Sequence, residues 1–323
     1  MKRGLLFLPI LAALMFFIGN NVSSQTLVNN KVLWTADSSP DGKYIAVGGN
    51  IDSLNIYLSD SLQLFASFPI HNTITSIKWH PDKNLLAFAT QTSKNKVSIL
   101  DFDAGNIIEL EGVSPEGARG IDWNFTGEFL AVGDNDGQIA IFGVDGRLVR
   151  KIQHNNTKSI TSIDWHPKKN IFITVGDKIR VFDISGSLLK TIIHRNEEAL
   201  LLCVAWHKSG KFFVTGDYGD NIFKHKPLLQ FWNLKGELIK SINISKGEYR
   251  NIRWNPQGDR LASASDALRI WDKNGILLHE GGSKDFLWGI SWNMNGSRIV
   301  TSSKEQDIVI WDNMARLVSA KQK

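Results

Sequence analysis

One phrase recurs seven times along this chain, about every 42 residues. An apolar stretch ends in Trp-His-Pro or a variant, a turn and a short β-like run follow, and an aromatic-Asp pair or a variant of it closes the next run. The phrase registers on Ser38, Trp79, Trp123, Trp165, Trp206, Trp254 and Trp292, with gaps of 41, 44, 42, 41, 48 and 38 residues. A fixed period of this length means stacked supersecondary units, none of which buries its own apolar faces. A chain built this way covers each unit with the next and presents surface to its surroundings.

Residues 159–192 show one unit in full. Ser159-Ile160-Thr161-Ser162-Ile163-Asp164-Trp165 alternates polar and apolar, the period of a strand. His166-Pro167-Lys168-Lys169-Asn170 is turn chemistry. Ile171–Val175 is a β-branched second strand, Gly176-Asp177 a tight turn, Ile179–Asp183 a third strand and Leu188–Ile192 a fourth. Both faces of such a sheet are largely apolar, so both need cover. Seven sheets set radially cover one another and leave little free edge. The expected fold is therefore all-β, a seven-bladed β-propeller of four-stranded antiparallel blades, with Arg316-Leu317-Val318 opening the last fourth strand. Thr26-Leu27-Val28 offers one more strand where the ring closes.

The start of the chain has a different character. Lys2 and Arg3 precede an uncharged apolar run from Leu5 to Ile18, and Val22-Ser23-Ser24 supplies small residues for cleavage before Gln25. This reads as a signal peptide over 1–24, with the propeller over 25–323. The fourteen-residue run is short of the ~20 residues that span a bilayer, and Pro9 interrupts it. The expected location is secreted or periplasmic, with no membrane span after signal removal. Loss of Lys2 and Arg3 lowers the net charge from +5 to +3. Basic residues are spread through all the repeats, which argues against nucleic acid as a partner. Cys203 is the only cysteine and lies in an apolar strand, so no internal disulfide forms.

Trp271-Asp272 and Trp311-Asp312, the turn Pro40-Asp41-Gly42 and the histidine before several first strands carry a family likeness. Over residues ~30–320 the chain resembles the WD-repeat β-propellers. It departs from their pattern in two ways. The Gly-His dipeptide is reduced to Ile70-His71, Gln153-His154 and Ile193-His194, and two third strands of seven end in a strict Trp-Asp. The resemblance implies binding of protein partners through the rim. It also implies a buried structural network in a blade, here Trp232, Thr215, His194 and either Asp217 or Asp220. The sixth unit has no such histidine, so the network is not uniform.

His80, His166 and His207 follow an anchor Trp, but Asn124, Asn255, Asn293 and Ser39 share that slot. A slot held by His, Asn and Ser is a turn cap, not a metal site, and no metal or other cofactor is expected. Asp37, Asp122 and Asp164 stand just before their anchors on the innermost strands, as members of a mixed-charge ring or as calcium ligands. No nucleophile elbow or phosphate-binding Gly-rich loop appears, so the chain is not expected to be an enzyme.

Four residues before each anchor stand Trp34, Thr75, Arg119, Thr161, Leu202, Arg250 and Trp288. Antiparallel geometry puts all seven at one mouth of the channel, a set with no acid. Trp and Arg are the residues enriched at binding hot spots. The fifth unit adds a long basic loop on the same rim, with Lys224 and Lys226. The expected partner-binding residues are Trp34, Arg119, Arg250, Trp288, Lys224 and Lys226. The expected function is a monomeric, non-catalytic scaffold for an acidic protein partner. The alternatives are a metal-dependent hydrolase or lactonase on the same architecture, and a structural subunit of an envelope assembly.

Overall fold

The computed structural model describes residues 31–91, 97–153, 158–194, 199–220, 225–305 and 307–321. Residues 1–24, read from the sequence as a signal peptide, together with Thr26–Val28, His154 and Lys224, lie outside the described residues. Seven four-stranded antiparallel sheets follow one another in chain order, each pairing its strands consecutively. The innermost strands are Leu33–Ser38, Ile74–Trp79, Ala118–Trp123, Ser162–Trp165, Leu201–Trp206, Asn251–Trp254 and Leu287–Trp292, one for each of blades one to seven. The second and third strands of the blades are mostly buried, whereas the fourth is largely exposed, as in Leu148–Gln153. This gradient follows from the radial arrangement, in which neighbours cover the inner strands most fully.

Turns between third and fourth strands explain the repeated Gly-x-Leu. Gly146, Gly186, Gly236 and Gly275 hold φ of 80°, 90°, 79° and 70°, a region that glycine enters without strain. Ala315 takes the same conformation in blade seven at φ 59°.

Anchor tryptophans fill the joints between blades. Trp123, Trp165 and Trp292 are 6%, 4% and 7% exposed, and each donates its indole N–H to a carbonyl of the preceding blade: Lys78 at 3.2 Å, Asp122 at 3.0 Å and Arg253 at 3.0 Å. At roughly 25 cal/mol/Å2 over the ~200 Å2 of an indole, each such burial stabilises by up to about 5 kcal/mol. The residues after the anchors act as the turn caps expected. His80 accepts the N–H groups of Asp82 and Lys83 at Nδ1, both at 3.0 Å, and its Nε2 lies 3.0 Å from the Gly127 carbonyl of blade three. His166 and His207 reach Gly210 and Gly258 in the same way. Asn124 and Asn293 accept backbone N–H groups of their own turns.

Blades one and seven close the ring side by side. Each takes all four strands from one continuous segment, Leu33–Pro69 and Leu287–Lys321. The Ser38 N–H donates to Ser291 Oγ (3.1 Å), Ser291 Oγ–H to Asp37 Oδ1 (2.9 Å) and Ser302 Oγ–H to the Leu33 carbonyl (3.1 Å).

Candidate functional site

The seven residues placed at the mouth divide into two groups. Thr75 and Thr161 are structural: their hydroxyls donate across blades to the carbonyls of Ala118 and Leu201, each at 2.6 Å. Leu202 is buried at 8% exposure. The other four converge. Trp34 of blade one and Trp288 of blade seven lie with ring centroids 5.2 Å apart and planes tilted by 45°. The Arg250 guanidinium of blade six sits 4.0 Å above the Trp288 ring, and that of Arg119, from blade three, 5.3 Å from Trp34. Arg119, Trp34, Trp288 and Arg250 thus form one cluster that reaches across the channel. All four are partly buried.

Electrostatics sets the two arginines apart. Arg250 pairs with Glu248, an acid absent from the set read off the sequence. That acid lies two residues before Arg250, outside the strict register, and the side chain folds back. No carboxylate pairs with Arg119 among the described residues. Burial, with Arg250 adding repulsion, lowers its pKa to about 10. The cluster also holds two buried polar atoms without a hydrogen-bond partner among the described residues, Arg250 Nε and Trp288 Nε1. Unsatisfied buried donors beside an unpaired cation favour an anionic or acceptor-bearing ligand. Lys226 is exposed on the loop between Phe212–Asp217 and Leu229–Asn233, without an ion pair among the described residues.

The aspartates near the axis have protein partners. Asp37, Asp122 and Asp164 accept the backbone N–H of Trp79, Trp165 and Trp206, the next blade's anchor in each case, at 2.9, 2.9 and 2.6 Å. Lys78 adds an ion pair to Asp122 at 3.0 Å. Burial and the nearby Asp122 charge raise the Asp164 carboxyl to about 7. These carboxylates staple blade to blade, which accounts for them as structural residues.

Blade five brings together the four residues implied by the family likeness, with Asp217 as the acid, in two hydrogen-bonded pairs rather than one continuous chain. Asp217 lies 2.5 Å from His194 Nε2 and accepts the N–H groups of Gly219 and Leu228, while Trp232 donates to Thr215 Oγ1 at 2.9 Å. Blade six uses Arg269 instead, bonded to Asp266, Ser265 and Glu280, with Trp271 donating to Ser263. The guanidinium forms a related buried network without the histidine. Cys203 is buried, its thiol raised to about 12 by burial.

Comparison with known proteins supports a WD-repeat β-propeller. Residues 62–99, 186–224 and 275–312 match the WD domain, G-beta repeat, and residues 81–170 match the anaphase-promoting complex subunit 4 WD40 domain. WD repeat-containing protein 11 of Homo sapiens is 21% identical over 306 residues, covering 72% of this chain and 24% of that protein. Intraflagellar transport protein 80 homolog of Mus musculus is 22% identical over 180 residues, 55% of this chain and 22% of that one. Echinoderm microtubule-associated protein-like 2 of Homo sapiens is 25% identical over 146 residues, 44% and 22% of the two chains. The chain therefore spans about a quarter of the length of these relatives. The likeness is to their repeats, and it supports a protein-interaction scaffold.

Proposed function

We propose that this propeller is a non-catalytic scaffold that binds an acidic protein partner on the channel-mouth rim, in the secreted or periplasmic space. The observation that carries the reading is the converged cluster of Trp34, Trp288, Arg250 and Arg119, the last without a carboxylate partner among the described residues. Packed indoles are rigid anchors that cost little entropy on binding, and a guanidinium recognises a carboxylate through two parallel hydrogen bonds. Lys226 and Lys224 would add longer-range attraction. Location beyond the inner membrane rests on the sequence of residues 1–24 alone, and the mass of the mature protein tests it.

The test of the rim is crosslinked capture from the cell-envelope fraction with tagged protein. Wild type should retain an acidic partner in a salt-sensitive manner. The Trp34→Ala/Trp288→Ala variant, shown to be folded by its circular dichroism and melting, should lose it. Equal capture by that folded variant overturns the reading.

A further inference from the structure

Six of the seven joints between blades receive an anchor tryptophan from the later blade, and the seventh does not. The joint between blades two and three shows what the indole requires. Trp123 packs with Ala87 and Ile99 of blade two and with Leu130 of its own blade. It stands edge-on to the His80 ring, centroids 5.0 Å apart, while His80 reaches the Gly127 carbonyl.

Strand register transfers each of these positions to the ring closure. Trp79 opposes Leu86 and Trp292 opposes Ile299, so Val300 corresponds to Ala87, and its partner Ile310 to Ile99. Trp123 opposes Leu130 as Ser38 opposes Ile45, so Ile45 corresponds to Leu130. Asn293, next after its anchor, corresponds to His80, and Gly42, four residues after its anchor, to Gly127. Where the indole would stand, the chain has Ser38.

A cavity of about 230 Å3 lies at that place, lined by Ser38, Gly42, Ile45, Asn293, Val300 and Ile310 among others. These are the counterparts of the groups that enclose Trp123 and its histidine. The apolar cluster joining blades seven and one contains no tryptophan, whereas each of the other six clusters packs at least one. The mouth of the cavity reaches the surface at Asn295, Ser297 and Arg298, all exposed. A cavity of ~150 Å3 already admits benzene, so this one has room for a bicyclic ring.

We propose that the slot between blades seven and one is a binding site for an indole ring, the side chain of a partner protein's tryptophan inserted where this chain has none of its own. The slot lies where the inner strands end, and the Trp34–Trp288 cluster where they begin, so it is a second site on the opposite face. The six occupied joints identify the occupant, since the corresponding place in each of them holds an indole. Asn293 in the wall and Arg298 at the mouth add polar groups to hold the entering segment.

The experiment uses the full chain and 5-fluoroindole, observed by fluorine NMR. Saturable millimolar binding is expected, with competition by N-acetyl-tryptophanamide and little by N-acetyl-leucinamide. Ser38→Trp should abolish binding and raise the melting temperature, because its own indole takes the slot, while Ser38→Ala should bind as wild type does. If Ser38→Trp does not fold, Val300→Phe fills the slot from its wall and serves as the blocked form. Absence of saturable binding overturns the proposal, as does equal binding by a folded blocked form or equal competition by the leucine compound.

Discussion

Arg119→Met separates a binding residue from a structural one, because the two roles predict opposite changes in stability. The guanidinium is partly buried, has no carboxylate partner among the described residues and faces Arg250, which together with burial lowers its pKa to about 10. At about 1.36 kcal/mol per pK unit, a depression of that size corresponds to roughly 3 kcal/mol of destabilisation. Solvent screening of this half-buried side chain reduces that to about 1–2 kcal/mol. The stacking of Arg119 on Trp34 at 5.3 Å returns about 0.5–1 kcal/mol. Methionine keeps the aliphatic stem and removes the charge. The variant should be between neutral and about 1 kcal/mol more stable in urea unfolding, a rise of up to ~3 °C in melting temperature. A lowered cationic pKa removes stability at every pH below it, so the gain should be flat from pH 5 to 8. Capture of the acidic partner should fall at the same time, the usual sign of a residue kept for function at a cost in stability. Destabilisation by 2 kcal/mol or more would refute the reasoning and make Arg119 part of the frame.

Other consequences follow from the same contacts. Trp165→Ala should cost roughly 3–5 kcal/mol by denaturant titration, since it empties a buried joint and removes the hydrogen bond to Asp122, whereas the half-buried Trp288→Ala should cost about 1–2 kcal/mol. Asp217→Ala should cost about 3–5 kcal/mol, because it strands the N–H groups of Gly219 and Leu228 and the ring of His194. Burial holds His80, His166 and His207 below the usual imidazole range, so stability that is complete above pH ~6.5 should decline as pH falls below it. Replacing all three by Asn should flatten that decline in melting curves. Asp164 acts in the opposite sense: its carboxyl, raised to about 7, removes stability as pH rises from ~4 through 7. Asp164→Asn, which keeps an acceptor for the Trp206 N–H, should therefore gain more at pH 8 than at pH 5.

The blades were legible because two periods coincide in the sequence, alternation within a strand and the 42-residue repeat between anchors. Each anchor Trp, each turn cap and each third strand stands where that double period puts it. His80, His166 and His207 were legible as turn caps because Asn124, Asn255 and Asn293 share their slot, and each histidine accepts a backbone N–H of its own turn. Choosing between Asp217 and Asp220 was out of reach. Both lie near the end of the same strand, and only the path of the following loop brings Asp217 to the N–H groups of Gly219 and Leu228.

The mouth was legible as a list and not as an arrangement. Register gives seven residues one height on the ring, but it does not give the width of the channel. In a narrow ring, side-chain length decides contact more than adjacency does. Arg119 therefore reaches past blade two to Trp34, while the nearer Thr75 turns aside to the Ala118 carbonyl. Long and short side chains at one register position have separate roles: the threonines tie blades together, and the arginines and tryptophans meet over the axis. A partner bound as proposed would rest on this cluster. Affinity on this face would then depend on a carboxylate fitting beside Arg119, which no neighbouring acid among the described residues has claimed.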